Sequence, residues 1–261
     1  YPQVLCFGLA CDVTEPQQLA TVTAAIAELL PDKSIGAVFA NAGVIFSHTV
    51  LNSTVQEWQT TLQVNVMGVV HTMQAFVPLL QAQEAESIFA ATASIGGLVR
   101  GDNGGASYQA SKHAVVATSE ALSFELARKS PHVRVHVLCP CIVASALDKT
   151  SVVNQRVRDG ESSADEVKAL GSDSFRLAMT PERHAEQVFA HIEAGNFYMV
   201  TDNVRPYVDH DLPFDGVGVM RERHANMQAL TLDNSDAWQR RPGMAPSAIM
   251  KGPMFGEPES I

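Results

Sequence analysis

Residues 35 to 43 read Ile35-Gly36-Ala37-Val38-Phe39-Ala40-Asn41-Ala42-Gly43. The first six residues are almost wholly apolar, which is typical of a strand that is buried on both faces of a parallel sheet. The last three are small or polar and end in glycine, which favours a turn directly after the strand. This stretch therefore predicts a short central strand whose carboxyl end opens into a turn.

Strands and helices alternate on both sides of this stretch. Apolar runs predict further strands at residues 4–11, 88–93, 133–138 and 197–201, and apolar residues at helical spacing predict helices at about 14–30, 53–80, 107–129 and 181–193. Thr14 and Gln17 have the spacing of a capping box at the start of the first helix. The alternation predicts an α/β fold with a doubly wound, Rossmann-like parallel sheet.

Two segments differ from the rest. We expect a single domain over residues 1–240. Within it, residues 146–179 are polar and longer than an ordinary connection, which predicts a mobile substrate lid. Residues 241–261 are rich in proline and glycine and lack periodicity, which predicts a disordered tail.

A tyrosine and a lysine, Tyr108 and Lys112, stand four residues apart in the predicted helix over residues 107–129. This spacing places both side chains on one helical face. A nearby ammonium group favours the phenolate and lowers the pKa of a tyrosine from its ordinary value of about 10. The pair is therefore a candidate acid/base, although the same pattern arises often by chance on a solvated helix face.

Polar or turn-forming residues follow several predicted strands. Asp12-Val13 ends the first strand, Asn41-Ala42-Gly43 ends the second, Ser94 ends the third, and Pro140 follows the fourth. Ligands of open α/β sheets bind in the crevice at the carboxyl ends of the strands. We therefore expect these residues to share one crevice with Tyr108 and Lys112.

Composition excludes several classes of partner. The formal net charge is −10, which argues against nucleic acid and anionic membrane surfaces, and no apolar stretch is long enough to span a bilayer. The four cysteines form no zinc-ligand pattern, and the scattered histidines are interpreted as solvated or core residues, so no metal site is expected. Cysteines without a disulfide pattern are typical of a cytoplasmic protein.

In this order, the motifs resemble those of the short-chain dehydrogenase/reductase family. The resemblance covers roughly residues 4–200 and is carried by Asp12-Val13, Asn41-Ala42-Gly43, Asn65-Val66-Met67-Gly68, Ser94, Tyr108-x-x-x-Lys112 and the Pro140 turn. It implies an oxidoreductase that transfers a hydride reversibly between an alcohol or ketone substrate and NAD or NADP, and that works as a homo-oligomer.

The resemblance also implies a role for each matched residue. Tyr108 resembles the catalytic acid/base, Lys112 the residue that lowers its pKa and binds the nicotinamide ribose, and Ser94 the hydroxyl that orients the substrate carbonyl. Asn65 resembles the residue that holds a water of a proton relay. The remaining matches are cofactor contacts: Asp12 and Val13 to the adenine, Asn41, Ala42 and Gly43 on the adenosine side, and Pro140, Val143 and Ser145 near the nicotinamide.

The sequence departs from the family pattern in three places. Cys141 replaces the usual glycine after Pro140, Ser145 stands where threonine is commoner, and the spacing from Ser94 to Tyr108 is one residue longer than usual. No glycine-rich turn precedes Asp12, so we expect the first β-α-β-α unit of the fold to be missing from residues 1–261. The strand at residues 35–40 would then have a free edge, and the chain alone would not bind NAD(P) tightly.

Two alternative functions remain open at this stage. A relative that keeps the sheet but cannot hold a dinucleotide would be an inactive binding or scaffold protein. The extended sugar-nucleotide epimerases and dehydratases share the tyrosine–lysine pattern, but Asn41-Ala42-Gly43 and the short C-terminal region argue against them.

Overall fold

The computed structural model of the protein describes residues 6–31, 33–98, 105–147 and 178–201. These residues form helices α1 (Pro16–Leu29), α2 (Val55–Leu62), α3 (Gly68–Ala82), α4 (Ala106–Lys129) and α5 (Pro181–Glu193), and strands β1 (Ala37–Ala40), β2 (Ser87–Thr92), β3 (Val133–Cys139) and β4 (Tyr198–Val200). A π-helical turn (Gln63–Met67) joins α2 to α3, and a 3₁₀ turn (Ile95–Gly97) follows β2.

The four strands form one parallel sheet in the order β1-β2-β3-β4. Parallel neighbours need a crossover, and α3 and α4 lie in the connections from β1 to β2 and from β2 to β3. The carboxyl ends of all four strands therefore lie along the same edge of the sheet. The predicted α/β fold with a parallel sheet is confirmed.

Helices cover the sheet on both faces. On one face Phe89, Ala91 and Val137 belong to a core that also holds apolar residues of α1, α3 and α4. On the other face Ala90, Leu138 and Met199 pack with Val188 and Ile192 of α5. Since successive residues of a strand point to opposite faces, the continuous apolar runs of β2 and β3 follow from this double cover.

Strand β1 is buried on only one face, so the expectation of burial on both faces is wrong for the described part of the chain. Val38 and Ala40 are buried, whereas Ala37 is exposed and Phe39 is 42% exposed. No described element covers the face that carries Phe39. Within the same described residues β1 pairs only with β2.

The start of the described chain differs from the prediction in two ways. Residues 6–11 form no strand, because no described strand lies beside them to provide hydrogen bonds. The first helix is capped at Glu15 rather than at Thr14. Thr14 instead donates its backbone N–H and its hydroxyl to the Asp12 carboxylate, at 2.9 and 2.8 Å. The predicted capping box is therefore absent, and the helix start has no side-chain cap.

The second predicted helix begins where expected and continues to residue 82. Thr54 and Glu57 form a capping box, with Glu57 N–H donating to Thr54 Oγ1 and Thr54 N–H donating to the Glu57 carboxylate. The π-helical turn interrupts the helix at the segment that contains Asn65. The sequence pattern did not predict this interruption.

Most of the predicted lid (146–179) and the entire predicted tail (241–261) lie outside the described residues. The two ends of the lid segment are described, and they meet. Val143 pairs with Met179 in a parallel bridge, and the Ala144 N–H donates to the Met179 carbonyl at 2.9 Å.

Candidate active site

The ends of β2 and β3 are joined directly beyond the sheet. Ala93 N–H donates to the Leu138 carbonyl at 2.7 Å, and Ile95 N–H donates to the Pro140 carbonyl at 2.9 Å. Ser94 lies between these two bonds, caps the 3₁₀ turn by accepting from Gly96 N–H at 3.1 Å, and is buried. The Ser94 hydroxyl is therefore held in a fixed position at the edge of the sheet.

Helix α4 brings Tyr108 and Lys112 to the same edge. Gly105 precedes its first residue with a φ of +69°, a left-handed conformation that favours glycine. The helix then packs closely on the 3₁₀ turn, because a side-chain carbon added at Gly97 would lie 2.6 Å from the Lys112 carbonyl oxygen. Gly97 thus permits the approach that places Tyr108 beside Ser94.

The Tyr108 hydroxyl hydrogen-bonds with Ser94. Burial nevertheless raises the pKa of Tyr108 above its ordinary value, and the hydrogen bond with Ser94 only partly opposes this effect. The predicted lowering of this pKa by Lys112 is therefore wrong, because the loss of water around the phenolate outweighs the effects that would lower the pKa.

Lys112 is almost fully buried, with 3% of its surface exposed. Its ammonium group donates to the Thr92 carbonyl at 2.7 Å and lies 5.5 Å from the centre of the Tyr108 ring. Burial lowers the pKa of Lys112 from 10.5 to about 8, and the negative charge of an ionised Cys139 would oppose the shift. Cys139, interpreted from the sequence as a strand residue, is thus also a buried neighbour of the site.

Asn65 is completely buried and links the loop after β1 to α4. Its amide donates to the Val44 carbonyl and to Ser111 Oγ, both at 2.9 Å, and its Oδ1 accepts from Val44 N–H at 2.8 Å. The Ser111 hydroxyl donates in turn to the Tyr108 carbonyl at 2.6 Å. Asn65 therefore connects the loop to the helix turn that carries the tyrosine.

Gly43 lies between Asn65 and Lys112. A side-chain carbon at this position would lie 3.3 Å from Oδ1 of Asn65 and 3.5 Å from Nζ of Lys112. The neighbouring Asn41 and Ala42 are exposed, and Oδ1 of Asn41 accepts from the Thr92 hydroxyl at 2.9 Å. The loop after β1 thus contacts Lys112 through Gly43 and the end of β2 through Asn41.

The other predicted cofactor contacts lie on both sides of this centre. Pro140 and Val143 are partly buried after β3, and Ser145 is exposed and accepts from Leu147 N–H at 3.3 Å. At the opposite side Asp12 is exposed, and the two hydrogen bonds from Thr14 lower the pKa of its carboxyl group. Val13 packs on Gly68, one turn after Asn65 in the helix.

Sequence reasoning missed two histidine contacts around the site. His48 Nδ1 lies 2.9 Å from Oε1 of Glu57, and the His48 carbonyl accepts from Ala106 N–H at the start of α4 at 3.1 Å. His71 contacts Val13 from α3. Isolated histidines carry no pattern in a sequence that would have indicated these partners.

Among the residues that the structure describes, no group of three or more His, Cys, Asp or Glu side chains is placed to hold a metal ion. In the same part of the chain no helix is both long and apolar enough to cross a membrane.

A parallel sheet covered on both faces, with a tyrosine, a lysine and a serine at the ends of its strands, defines a Rossmann-like α/β protein of the oxidoreductase type. The chain belongs to the short chain dehydrogenase family, whose family model matches residues 3–157. The resemblance drawn from the motifs is therefore confirmed.

Individual relatives agree with this assignment. The chain is 31% identical over 220 residues to 1-deoxy-11-beta-hydroxypentalenate dehydrogenase of Streptomyces avermitilis, covering 79% of each chain. It is 28% identical over 170 residues to the CLA biosynthesis dehydrogenase/reductase of Lactiplantibacillus plantarum, covering 62% of this chain and 58% of that relative. The chain thus spans less than two thirds of the latter's length.

Solved structures share the fold. A short chain dehydrogenase/reductase of Burkholderia phymatum in complex with NAD superposes with a TM-score of 0.63 at 24% identity, over 88% of this chain and 77% of that one. The 3-ketoacyl-(acyl-carrier-protein) reductase of Brucella melitensis, complexed with NADH, gives a TM-score of 0.57 at 22% identity, over 74% of each. At these identities the likeness shows the fold alone.

Proposed function

We propose that the protein is an NAD(P)-dependent oxidoreductase that interconverts an alcohol and a carbonyl compound. The observation that carries this proposal is the convergence of the Ser94 and Tyr108 hydroxyls, which hydrogen-bond with each other, beside the buried ammonium of Lys112. One hydroxyl that can bind a carbonyl oxygen and a second that can transfer a proton to it are what such a reaction requires.

The residues at the sheet edge fit a dinucleotide. Lys112 uses one of its three N–H donors on Thr92, so two remain for the hydroxyls of a ribose. At the far side Val13 N–H makes no hydrogen bond to the described residues, and Asp12 exposes its carboxylate, so both are available to an adenine. Asn41, Ala42 and Gly43 would line the adenosine side, and Pro140, Val143 and Ser145 the nicotinamide side. No described residue is assigned to the pyrophosphate.

The nicotinamide would supply or accept the hydride, and the protein handles the proton. Because burial raises the pKa of Tyr108, its hydroxyl is protonated at neutral pH and is ready to donate to the oxygen of a carbonyl substrate. Ser94 would hold the same oxygen by a hydrogen bond. In the reverse direction Tyr108 must first lose its proton, and its phenolate then takes the proton of the alcohol. A positive charge placed beside it favours the phenolate by lowering the pKa of Tyr108.

Asn65 and Lys112 complete the arrangement. Asn65 fixes the loop that carries Gly43, and Gly43 leaves the space around Nζ of Lys112 free of a side chain. In this proposal a water molecule near Asn65 passes protons between Lys112 and solvent.

We also infer a cytoplasmic location and a homo-oligomeric assembly. None of the four cysteines, all of which lie in the described part of the chain, forms a disulfide, which is usual in a reducing compartment. Leu62 and Met67 are each 39% exposed on the helix that runs from α2 into α3, and such exposed apolar residues favour burial against a second copy.

The test is a titration of the protein with NADH and NADPH, followed by nicotinamide fluorescence, and an assay against a panel of small alcohols and ketones. The proposal expects saturable binding of one cofactor and turnover of at least one substrate class. Tyr108→Phe should keep cofactor binding and lose turnover. If the natural protein binds neither dinucleotide, the alternative of an inactive binding or scaffold protein replaces this proposal.

A further inference from the structure

Helix α3 contacts the turn at residues 12–14 through two residues of its first turn. His71 Nδ1 lies 2.9 Å from the Val13 carbonyl oxygen. At Gly68, three residues earlier, an added side-chain carbon would lie 2.6 Å from Cγ2 of Val13. The absence of a side chain at Gly68 thus allows Val13 to reach the helix, and His71 then holds its backbone.

The other hydrogen bonds of this turn are local. Asp12 N–H donates to Oε1 of Gln18 at 2.8 Å, its carbonyl accepts from Glu15 N–H at 3.1 Å, and its carboxylate accepts from Thr14. These bonds join the turn to the start of the adjoining helix α1. Among the described residues, the bond from His71 is the hydrogen bond that ties the turn to an element other than α1.

The chemistry of this bond fixes which ring nitrogen of His71 donates. A carbonyl oxygen only accepts, so Nδ1 of His71 carries a hydrogen and donates it to Val13. The bond is therefore a positional restraint on the Val13 backbone.

We propose that His71 is a positioning residue for adenine binding: it holds the Val13 backbone against α3 and so sets the orientation of Asp12 and Val13. This inference rests on the proposed function, in which these two residues contact the adenine. In this inference His71 acts only through Val13, and it affects the binding of the adenine half of the cofactor.

The test compares His71→Leu with His71→Asn in the natural full-length protein. Leucine removes the donor at similar size, whereas the side-chain amide of asparagine can place an N–H near the position of Nδ1. His113→Leu is a matched control, because His113 Nδ1 also lies 2.9 Å from a carbonyl oxygen, that of Gln109, but within the exposed face of its own helix.

Binding of ADP-ribose, or of its 2′-phosphate if the protein prefers NADPH, reports on the adenine half, and nicotinamide mononucleotide reports on the other half. His71→Leu should weaken binding of the adenine-containing ligand about three- to tenfold, the loss expected of one hydrogen bond, and raise the KM of the dinucleotide equally. The kcat of His71→Leu and its affinity for nicotinamide mononucleotide should stay within about twofold of the wild type. The kcat, KM and ligand affinities of His71→Asn should stay within the same range. So should the affinity of His113→Leu for ADP-ribose.

Gly68→Ala provides a second perturbation of the same contact from the side of the Val13 side chain, and it keeps the test usable if His71→Leu does not fold. Gly68→Ala should also weaken binding of the adenine-containing ligand without weakening binding of nicotinamide mononucleotide. Unchanged ADP-ribose affinity in His71→Leu, or an equal loss for both halves together with a loss of kcat, would overturn the inference while leaving the proposed function intact. A wild-type protein that binds no dinucleotide would overturn the proposed function, and the inference with it.

Discussion

Replacing Lys112 by methionine should change how the stability of the protein depends on pH. The ammonium group is almost fully buried, and burial lowers its pKa to about 8 from the ordinary 10.5. At pH 7 the group is still mostly protonated, so the folded protein carries a buried charge that methionine, of similar length, would remove.

The size of the effect follows from the two pKa values. A difference between 10.5 and about 8, at about 1.36 kcal/mol per pKa unit, corresponds to about 3 kcal/mol that the buried ammonium costs the fold below pH 8. The bond from Nζ to the Thr92 carbonyl is lost in the variant, and an unpaired buried carbonyl costs about 1–3 kcal/mol. At pH 7 the two contributions largely cancel, so the free energy of unfolding of Lys112→Met at this single pH does not report the cost of burying the ammonium group.

The pH dependence separates the two contributions. Between pH 8 and 10.5 the unfolded chain binds the Lys112 proton and the folded protein does not, so the free energy of unfolding of the wild type rises with pH. The free energy of unfolding of the wild type, relative to that of Lys112→Met, should rise by about 1.4 kcal/mol per pH unit over this range and by about 3 kcal/mol in total. Below pH 8 the difference between the two proteins should be constant.

Urea unfolding of both proteins at half-unit steps from about pH 7 to about pH 10 measures this difference, and titrating groups remote from Lys112 cancel in the comparison. Parallel stability curves over the whole range would refute the reasoning, because they would mean that Lys112 is solvated in the folded protein.

Three further predictions concern the site and its support. Tyr108→Phe should lower kcat about 10²–10⁴-fold with the affinity for the cofactor unchanged, and a variant that keeps more than about a tenth of the rate would contradict the acid/base role. Gly97→Ala should lower the free energy of unfolding by about 1–3 kcal/mol because its new methyl group meets the α4 backbone. Gly96→Ala is the matched control in the same urea titration, because a methyl group there would have ordinary nearest contacts of 3.6 and 3.7 Å. An equal loss of stability in both variants would count against the close packing at Gly97. Burial lowers the pKa of His136, so the wild type should lose stability relative to His136→Asn as the pH falls below the ordinary value of 6.5, and a difference that does not change with pH would show that the ring is accessible to water.

The sheet and most helices could be predicted from the sequence because their signals are local. The apolar runs of β2 and β3 and the capping residues Thr54 and Thr180 mark elements that the structure contains at nearly the predicted bounds. Strand formation at residues 6–11 and the cover over Phe39 depend on partners elsewhere in space, and a local pattern cannot show whether those partners exist. Thr14 was assigned as a cap because the competing Asp12 carboxylate was not considered.

The members of the candidate site could be predicted, but not their energetics. Helical spacing and the order of the strands bring Ser94, Tyr108 and Lys112 together, as the structure shows. The direction of the pKa change of Tyr108 depends on how completely water is excluded from the hydroxyl, which is a property of packing and not of spacing. The contact of His71 with Val13 joins residues 58 positions apart, and nothing in either segment signals it.

The π-helical turn at Gln63–Met67 changes the direction in which the side chains that follow it point around the helix axis. Each residue of an α-helix advances the side-chain direction by about 100°, so one residue accommodated in a wider turn lets the two halves of the helix present faces that a regular helix could not align. The first half directs Thr61 to Ser107 on α4, the second half directs Gly68 and His71 to Val13, and Asn65 lies where the two halves meet. Deleting a single residue from this turn would leave a longer, more regular helix whose second half is rotated by about 100°, so that α4 and the residue 12–14 turn could no longer both be contacted.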